Sequence, residues 1–222
     1  MDMALKSQVY IAAWISKRIT NLFLLKPSIF LLALLPLARL IWLGATNDLG
    51  ANPIEFITRS MGTWTLVFLC LSLAMTPARL ITGWAGFIRL RRMLGLFCFF
   101  YAMLHFLIWL WLDHDFTIAA MWRDVLERPF ITFGFLAFVL LVPLALTSTH
   151  WAQRILGRRW SLLHRFVYAI AVLAILHYWW HKAGKSDFET VSIYGAVIVL
   201  LLLMRLPMIK RYFKNNKGSP SV

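Results

Sequence analysis

Six long apolar stretches, separated by short charged segments, dominate this chain of 222 residues. A helix needs roughly 20 apolar residues to cross a bilayer, and it pairs its own backbone hydrogen bonds in lipid. Hydrophobic residues make up 61% of the chain and charged residues 14%, which excludes an ordinary soluble domain. The sequence therefore predicts an all-α, six-helix transmembrane bundle, with spans at 27–44, 61–80, 93–112, 129–148, 161–181 and 190–207.

The charged residues predict how this bundle is oriented in the membrane. Eight of the nine acidic residues follow the first, third and fifth spans, whereas Lys and Arg gather at the opposite ends and in both terminal segments. An excess of Lys and Arg marks the cytoplasmic side, so both termini are expected to be cytoplasmic. We predict a basic interfacial segment at 1–26, the membrane domain at 27–207 and a basic cytoplasmic tail at 208–222. This asymmetry explains the net charge of +14, and no nucleic-acid partner is expected.

Three histidines, His105, His164 and His177, lie inside these spans or at their edges. An ionisable side chain is costly at membrane depth and is usually kept there for a function. A neutral imidazole on an apolar helix is a common axial ligand of heme iron. The histidines therefore predict a membrane cytochrome b that binds heme b.

Two of these histidines are expected to face each other. His105 and His177 end two similar tetrapeptides, 102–105 and 174–177, on spans three and five, which both run outward. Their distances from the basic ends of these spans place both rings in the outer half of the membrane, on opposite sides of one heme iron. Two histidine ligands leave the iron no open position, which favours one-electron transfer over oxygen or substrate binding.

His164 lies near the inner end of span five and has several possible roles. It precedes His177 by 13 residues, or about 20 Å along a helix, so these two cannot bind the same heme. Three interpretations stay open for His164: a ligand of heme iron, a contact to a heme propionate or quinone, and an ordinary interfacial residue beside arginines.

The other histidines and both cysteines are predicted to be structural or at the surface. His150 is expected to be solvated in an inner loop, and His114 and His181 are expected at the outer boundary as surface groups or partner contacts. Cys70 and Cys98 lie in apolar spans without CxxC spacing, which is typical of packing residues.

Motifs around the spans resemble one known family. They are Thr76-Pro77-Ala78-Arg79, Arg91-Arg92-Met93-Leu94-Gly95-Leu96, Leu104-His105, Thr147-Ser148-Thr149, Leu156-Gly157-Arg158-Arg159-Trp160, Leu163-His164 and His177-Tyr178. Over nearly its whole length, the chain resembles the MsrQ family, the heme-binding membrane subunits of the periplasmic methionine-sulfoxide reductase system. That family is part of the ferric-reductase-like transmembrane superfamily.

The resemblance implies six helices in the bacterial inner membrane, with heme b bound by His105, His164 and His177. It also implies flavin mononucleotide (FMN) as a further cofactor. Electrons would come from the quinone pool or a cytoplasmic flavin reductase. They would pass to a periplasmic, molybdopterin-containing, MsrP-like catalytic subunit that reduces methionine sulfoxide in oxidised proteins. The chain itself would be the electron-transfer subunit of this oxidoreductase complex.

One departure from the wider superfamily limits the number of hemes expected. The NADPH oxidases that resemble this domain carry two histidines on each of the third and fifth helices and hold two stacked hemes. The inner partner on span three would stand near Arg91, where the sequence has no histidine. One heme with two histidine ligands is therefore expected, with His164 as a further candidate ligand.

Two other classes of protein remain as alternatives. A proton-coupled transporter would use the histidines as relays, but the spans hold no deep Asp or Glu to accompany them. A heme-free membrane anchor would use them structurally, and it would be colourless when purified. A self-contained ferric or oxygen reductase is disfavoured because about 15 residues follow the last predicted span, too few for a flavin and nicotinamide domain.

Overall fold

The computed structural model describes residues 25–183 and 188–206, and all regular structure in these ranges is helical. The prediction of an all-α fold is confirmed for this part of the chain. In chain order the helices are α1 (Leu25–Ala45), α2 (Pro53–Thr82), α3 (Gly86–Ile108) with a π-helical extension (Trp109–Asp113), α4 (Ile118–Glu127), α5 (Pro129–Leu146), α6 (His150–Leu156), α7 (Arg158–Leu163), α8 (Phe166–Ala183) and α9 (Glu189–Leu203).

Five helical segments of the described chain are long and apolar enough to cross a membrane. They are Leu25–Ala45, Pro53–Thr82, Gly86–Asp113, Pro129–Leu146 and Arg158–Ala183. The sixth apolar helix, α9, has 15 residues, which is shorter than the roughly 20 that a span needs. Many large apolar side chains point away from the protein interior, as lipid-facing residues do. The chain is thus a multi-pass membrane protein, while a count of six spans and the orientation of the termini stay predictions.

The chain divides after Asp48 into two compact units. The first unit contains α1, and the second contains all the later helices. Most of the predicted basic segment 1–26 and the whole predicted tail 208–222 lie outside the described residues.

Two pairs of adjacent helices form the framework of the second unit. Helices α2 and α3 pack closely against each other, and α5 packs against α8. Stacked aromatic rings join these elements: Phe68 of α2 lies 5.2 Å from Tyr101 of α3, and Phe106 of α3 lies 4.6 Å from Phe138 of α5 between ring centroids. Because such rings pack at fixed distances and angles, they hold α3 in a defined position between its neighbours.

Charged residues separate the second unit into two ends. We call the end that carries Arg79, Arg91, Arg158 and Arg205 the basic end, and the end that carries Glu55, Asp113, Asp124 and Glu189 the acidic end. At the basic end, Gly157 has a φ of 48° and turns the chain between α6 and α7. A left-handed backbone of this kind favours glycine, because a side chain would clash with the backbone.

The acidic end contains a helix that the sequence analysis did not predict. Helix α4 lies between the third and fourth long apolar segments and buries Met121 and Val125, one helical turn apart. Asp124 fixes α4 by accepting hydrogen bonds from His114 at 3.2 Å and from Arg128 at 2.8 Å. The side chain of His114 is only 11% exposed and its imidazole packs against Asp124, so the prediction of a surface group is wrong. The alternative, a contact to a partner, stays a prediction. His150 is exposed, as predicted, but it begins helix α6 and does not lie in a loop.

Candidate metal centre

The structure brings the imidazoles of His105 and His177 together, one from α3 and the other from α8. Their ring centroids are 6.2 Å apart, and the ring planes are inclined by 73°. An imidazole nitrogen binds a metal ion at about 2.0 Å, and the ring adds about 1.1 Å on each side, so two axial imidazoles have centroids roughly 6 Å apart. The observed spacing therefore suits two ligands on opposite faces of one iron.

Hydrogen bonds prepare both imidazoles to bind a metal through the same atom. Nδ1 of His105 lies 2.9 Å from the carbonyl oxygen of Thr58 in α2. Nδ1 of His177 lies 2.6 Å from the carbonyl oxygen of Phe130 in α5. Since a carbonyl only accepts, each Nδ1 must carry the proton and donate it. The proton-free atom of a neutral ring is then Nε2, the atom with the lone pair that a metal needs.

A glycine lies against each of these rings. A Cβ atom added to Gly62 of α2 would lie 3.1 Å from Cε1 of His105, and one added to Gly134 of α5 would lie 2.7 Å from Nδ1 of His177. Real Cβ contacts shorter than 3.0 Å essentially do not occur. The two glycines therefore let each imidazole pack directly on the backbone of the neighbouring helix.

The two halves of this site repeat each other. Thr58, Gly62 and His105 in the first half correspond to Phe130, Gly134 and His177 in the second, with residue numbers 72 higher. Each half thus supplies a carbonyl acceptor, a glycine one turn later, and a histidine. Both glycines were absent from the sequence-based prediction, although they follow the same 72-residue offset as the matching tetrapeptides 102–105 and 174–177.

His164 lies apart from this pair, after α7, but has a similar hydrogen-bonding state. Its ring stacks on Trp160 with centroids 3.9 Å apart, and its Nδ1 lies 3.1 Å from the Trp160 carbonyl oxygen. Trp160 is itself held by a 2.9 Å hydrogen bond from its indole N–H to the carbonyl of Thr147. Nε2 of His164 is buried and has no hydrogen-bond partner among the described residues. The 72-residue offset makes Arg92 the counterpart of His164, so the second half carries a histidine where the first has an arginine.

These residues fit a heme. Two neutral imidazoles at the right separation, each oriented by a carbonyl, are the full protein ligand set of a bis-histidine heme. The described residues contain no group of three or more His, Cys, Asp or Glu side chains that would hold a bare metal ion. A porphyrin supplies the other four ligands of its iron, so two histidines suffice. The chemistry that such an arrangement allows is the transfer of single electrons.

Comparison with known proteins places the chain in a family. A family model for the ferric reductase like transmembrane component matches residues 60–175, which include His105 and His164 and end two residues before His177. Proteins named protein-methionine-sulfoxide reductase heme-binding subunit MsrQ are close relatives. The one from Bordetella parapertussis is 59% identical over 82% of this chain and 88% of its own length. Those from Ralstonia nicotianae and Rhodospirillum rubrum are 60% and 48% identical, over 81% and 83% of this chain and 83% and 88% of their own lengths. No solved structure matches the chain.

Proposed function

Because the chain belongs to the MsrQ family of ferric-reductase-like membrane proteins, we propose that it is a cytochrome b that carries electrons across the bacterial inner membrane to a methionine-sulfoxide reductase. The observation that carries this proposal is the pair of facing imidazoles, His105 and His177, 6.2 Å apart. The relatives are named heme-binding subunits, and this pair is the site in the described chain that suits a heme.

The residues of the chain have distinct tasks at this site. His105 and His177 would hold the iron of a heme, and the carbonyls of Thr58 and Phe130 keep the protons of both rings on Nδ1. Heme b, when bound, supplies an iron that accepts and releases one electron at a time. A heme held by both histidines would offer no open position to oxygen or substrates, which suits a carrier of electrons and not a site of chemical conversion.

The direction of transfer follows from the proposed orientation. The histidine pair lies toward the acidic end of the second unit, which the charge pattern predicts to face the periplasm. We propose that the periplasmic partner is a molybdopterin-containing, MsrP-like catalytic subunit that repairs oxidised proteins. Electrons would enter at the basic end, from the quinone pool or a cytoplasmic flavin reductase. FMN is proposed as a further cofactor on the strength of the family resemblance.

The absorbance spectrum of the purified full-length chain tests the proposal. We expect a reducible, low-spin, b-type heme spectrum, and its electrons should pass to a purified MsrP-like subunit when the two are mixed. A colourless protein that nevertheless supports the repair of methionine sulfoxide would support the heme-free anchor instead. Uptake of a substrate driven by a proton gradient would support a transporter.

Replacing His164 by alanine is expected to separate two roles for this residue. If Nε2 of His164 binds a second iron, the variant should lose about half of its heme. If one heme is bound by His105 and His177 alone, the heme count should be unchanged. The measurement is heme per chain by the pyridine hemochrome assay, beside protein quantified by amino-acid analysis. His150→Ala, at an exposed position, is the matched control.

A further inference from the structure

Arg205 is a buried cation at the basic end, directly after the last turn of α9. Only 8% of the surface of Arg205 is exposed. Nη2 donates a 2.7 Å hydrogen bond to the carbonyl of Leu73 in α2, and Nη1 donates a 3.2 Å hydrogen bond to the hydroxyl of Tyr168 in α8. Its guanidinium carbon lies 5.4 Å from the centroid of the Tyr168 ring. Nε of Arg205 is buried without a hydrogen-bond partner in the described part of the chain.

The charge of Arg205 has no acidic partner among the described residues. Burying a charge is costly unless it is paired, and neutral carbonyl and phenol groups compensate it only in part. Eight of the nine acidic residues occur in the sequence after the first, third and fifth predicted spans, and none occurs between positions 190 and 222. A buried guanidinium with an open donor and no carboxylate beside it is chemically suited to bind an anion.

Other basic groups surround the same position. The hydroxyl of Ser72 donates a 3.4 Å hydrogen bond to the backbone carbonyl of Arg91, and Leu73, the next residue in α2, accepts from Arg205. Arg91 and Arg205 are therefore held at the same level of α2, and each lies within electrostatic range of the other. His164, with its unpartnered Nε2, lies within electrostatic range of Arg91.

We propose that Arg91 and Arg205 form a binding site for an oxyanion, the phosphate group of a ligand held at the basic end. A planar guanidinium group can donate two parallel hydrogen bonds to two oxygens of a phosphate, and charge-assisted hydrogen bonds of this kind are the strong ones. Two sources offer this chemistry at a membrane surface: the phosphate of FMN, and the headgroup of an anionic phospholipid. Arg205 lies outside the segment matched by the family model. For FMN, the site rests on the cofactor named in the proposed function. It requires no heme at His105 and His177, so its failure would leave the proposed heme site and electron transfer intact.

Binding of two pairs of probes to the purified full-length chain tests this site and distinguishes the sources. FMN and riboflavin differ by the phosphate alone, and their binding is followed by quenching of flavin fluorescence. Phosphatidylglycerol and phosphatidylcholine nanodiscs differ in headgroup charge, and retained lipid is measured as phosphorus per chain after delipidation. The variants are Arg205→Gln, Arg205→Lys and Arg91→Gln. Arg92→Gln is the matched control, because it removes the same charge from an exposed neighbouring position.

If the bound group is the phosphate of FMN, the wild type should bind FMN at least about tenfold more tightly than riboflavin, and Arg205→Gln should abolish this preference. For a lipid headgroup, the wild type should retain phosphatidylglycerol in stoichiometric amount, and Arg205→Gln should release it. In either case Arg205→Lys should keep part of the selective binding of the phosphate probe, and Arg92→Gln should keep all of it. Arg91→Gln leaves the bonds to Leu73 and Tyr168 in place, so it reports on binding even if Arg205→Gln misfolds. The proposal is overturned if the wild type binds neither phosphate probe selectively, or if both Gln variants bind like the wild type.

Discussion

Replacing His105 or His177 by alanine is expected to remove most of the b-type heme from the purified protein. Each histidine is one of the two protein ligands proposed for the iron, and the centroids of the two rings are 6.2 Å apart. Loss of a residue that only orients a metal ligand typically costs 10- to 100-fold in affinity, so loss of a ligand itself should cost more than about 100-fold. The measurement is heme per chain, together with the reduced-minus-oxidised absorbance spectrum.

Two controls separate ligand loss from misfolding in this experiment. His150→Ala removes an exposed histidine and should keep the wild-type spectrum. Adding imidazole to His105→Ala or His177→Ala should restore part of the low-spin spectrum, because a free imidazole can occupy the vacated space next to the glycine. Full heme content in both single variants would refute the assignment of these ligands.

The sequence allowed the helical class to be predicted, because the apolar stretches are long enough to cross a bilayer as helices. It also allowed the pairing of His105 with His177 to be predicted, because this pairing depends on the depth of each residue along its helix. A helix rises about 1.5 Å per residue, so distance from the basic end of a span converts directly into a level in the bilayer. The helical class is confirmed by the structure, and the two rings do meet. The role of these rings as heme ligands stays a prediction.

Features that depend on side-chain packing across helices were not predictable in the same way. The close approach of Gly134 to His177 joins residues on α5 and α8 that are distant in sequence, and hydropathy does not report it. Helix α4 was missed because it has only ten residues, too short for a span, and carries the charged residues Arg123, Asp124 and Glu127 of a predicted loop. Similarly, the burial of Arg205 depends on how α9 packs against α2 and α8, whereas its position in the sequence resembles an ordinary basic residue flanking a span.

Replacing Gly134 by alanine is expected to weaken heme binding although no ligand is removed. The added Cβ would lie 2.7 Å from Nδ1 and 2.9 Å from Cε1 of His177, too close for the ring to stay in place. The imidazole must tilt away, and its 2.6 Å hydrogen bond to the carbonyl of Phe130, one turn earlier on the same helix, is lost or distorted. Ligands must be held to within about 0.5 Å, so we expect a 10- to 100-fold lower heme affinity and a partly high-spin spectrum.

A graded series of glycine substitutions makes this prediction specific. Gly62→Ala brings its Cβ to 3.1 Å from Cε1 of His105, so its effect should have the same direction and a smaller size. Gly195→Ala brings its Cβ only to 3.9 Å from a side-chain carbon of Ile175, an ordinary contact, and should leave the heme spectrum unchanged. Alanine is also the better helix former by about 1 kcal/mol, so a general loss of helix stability does not explain a defect at Gly134. Equal heme content in all three variants would mean that the glycines are not needed to position the rings, and that the hydrogen bonds to Thr58 and Phe130 do not control the ligands.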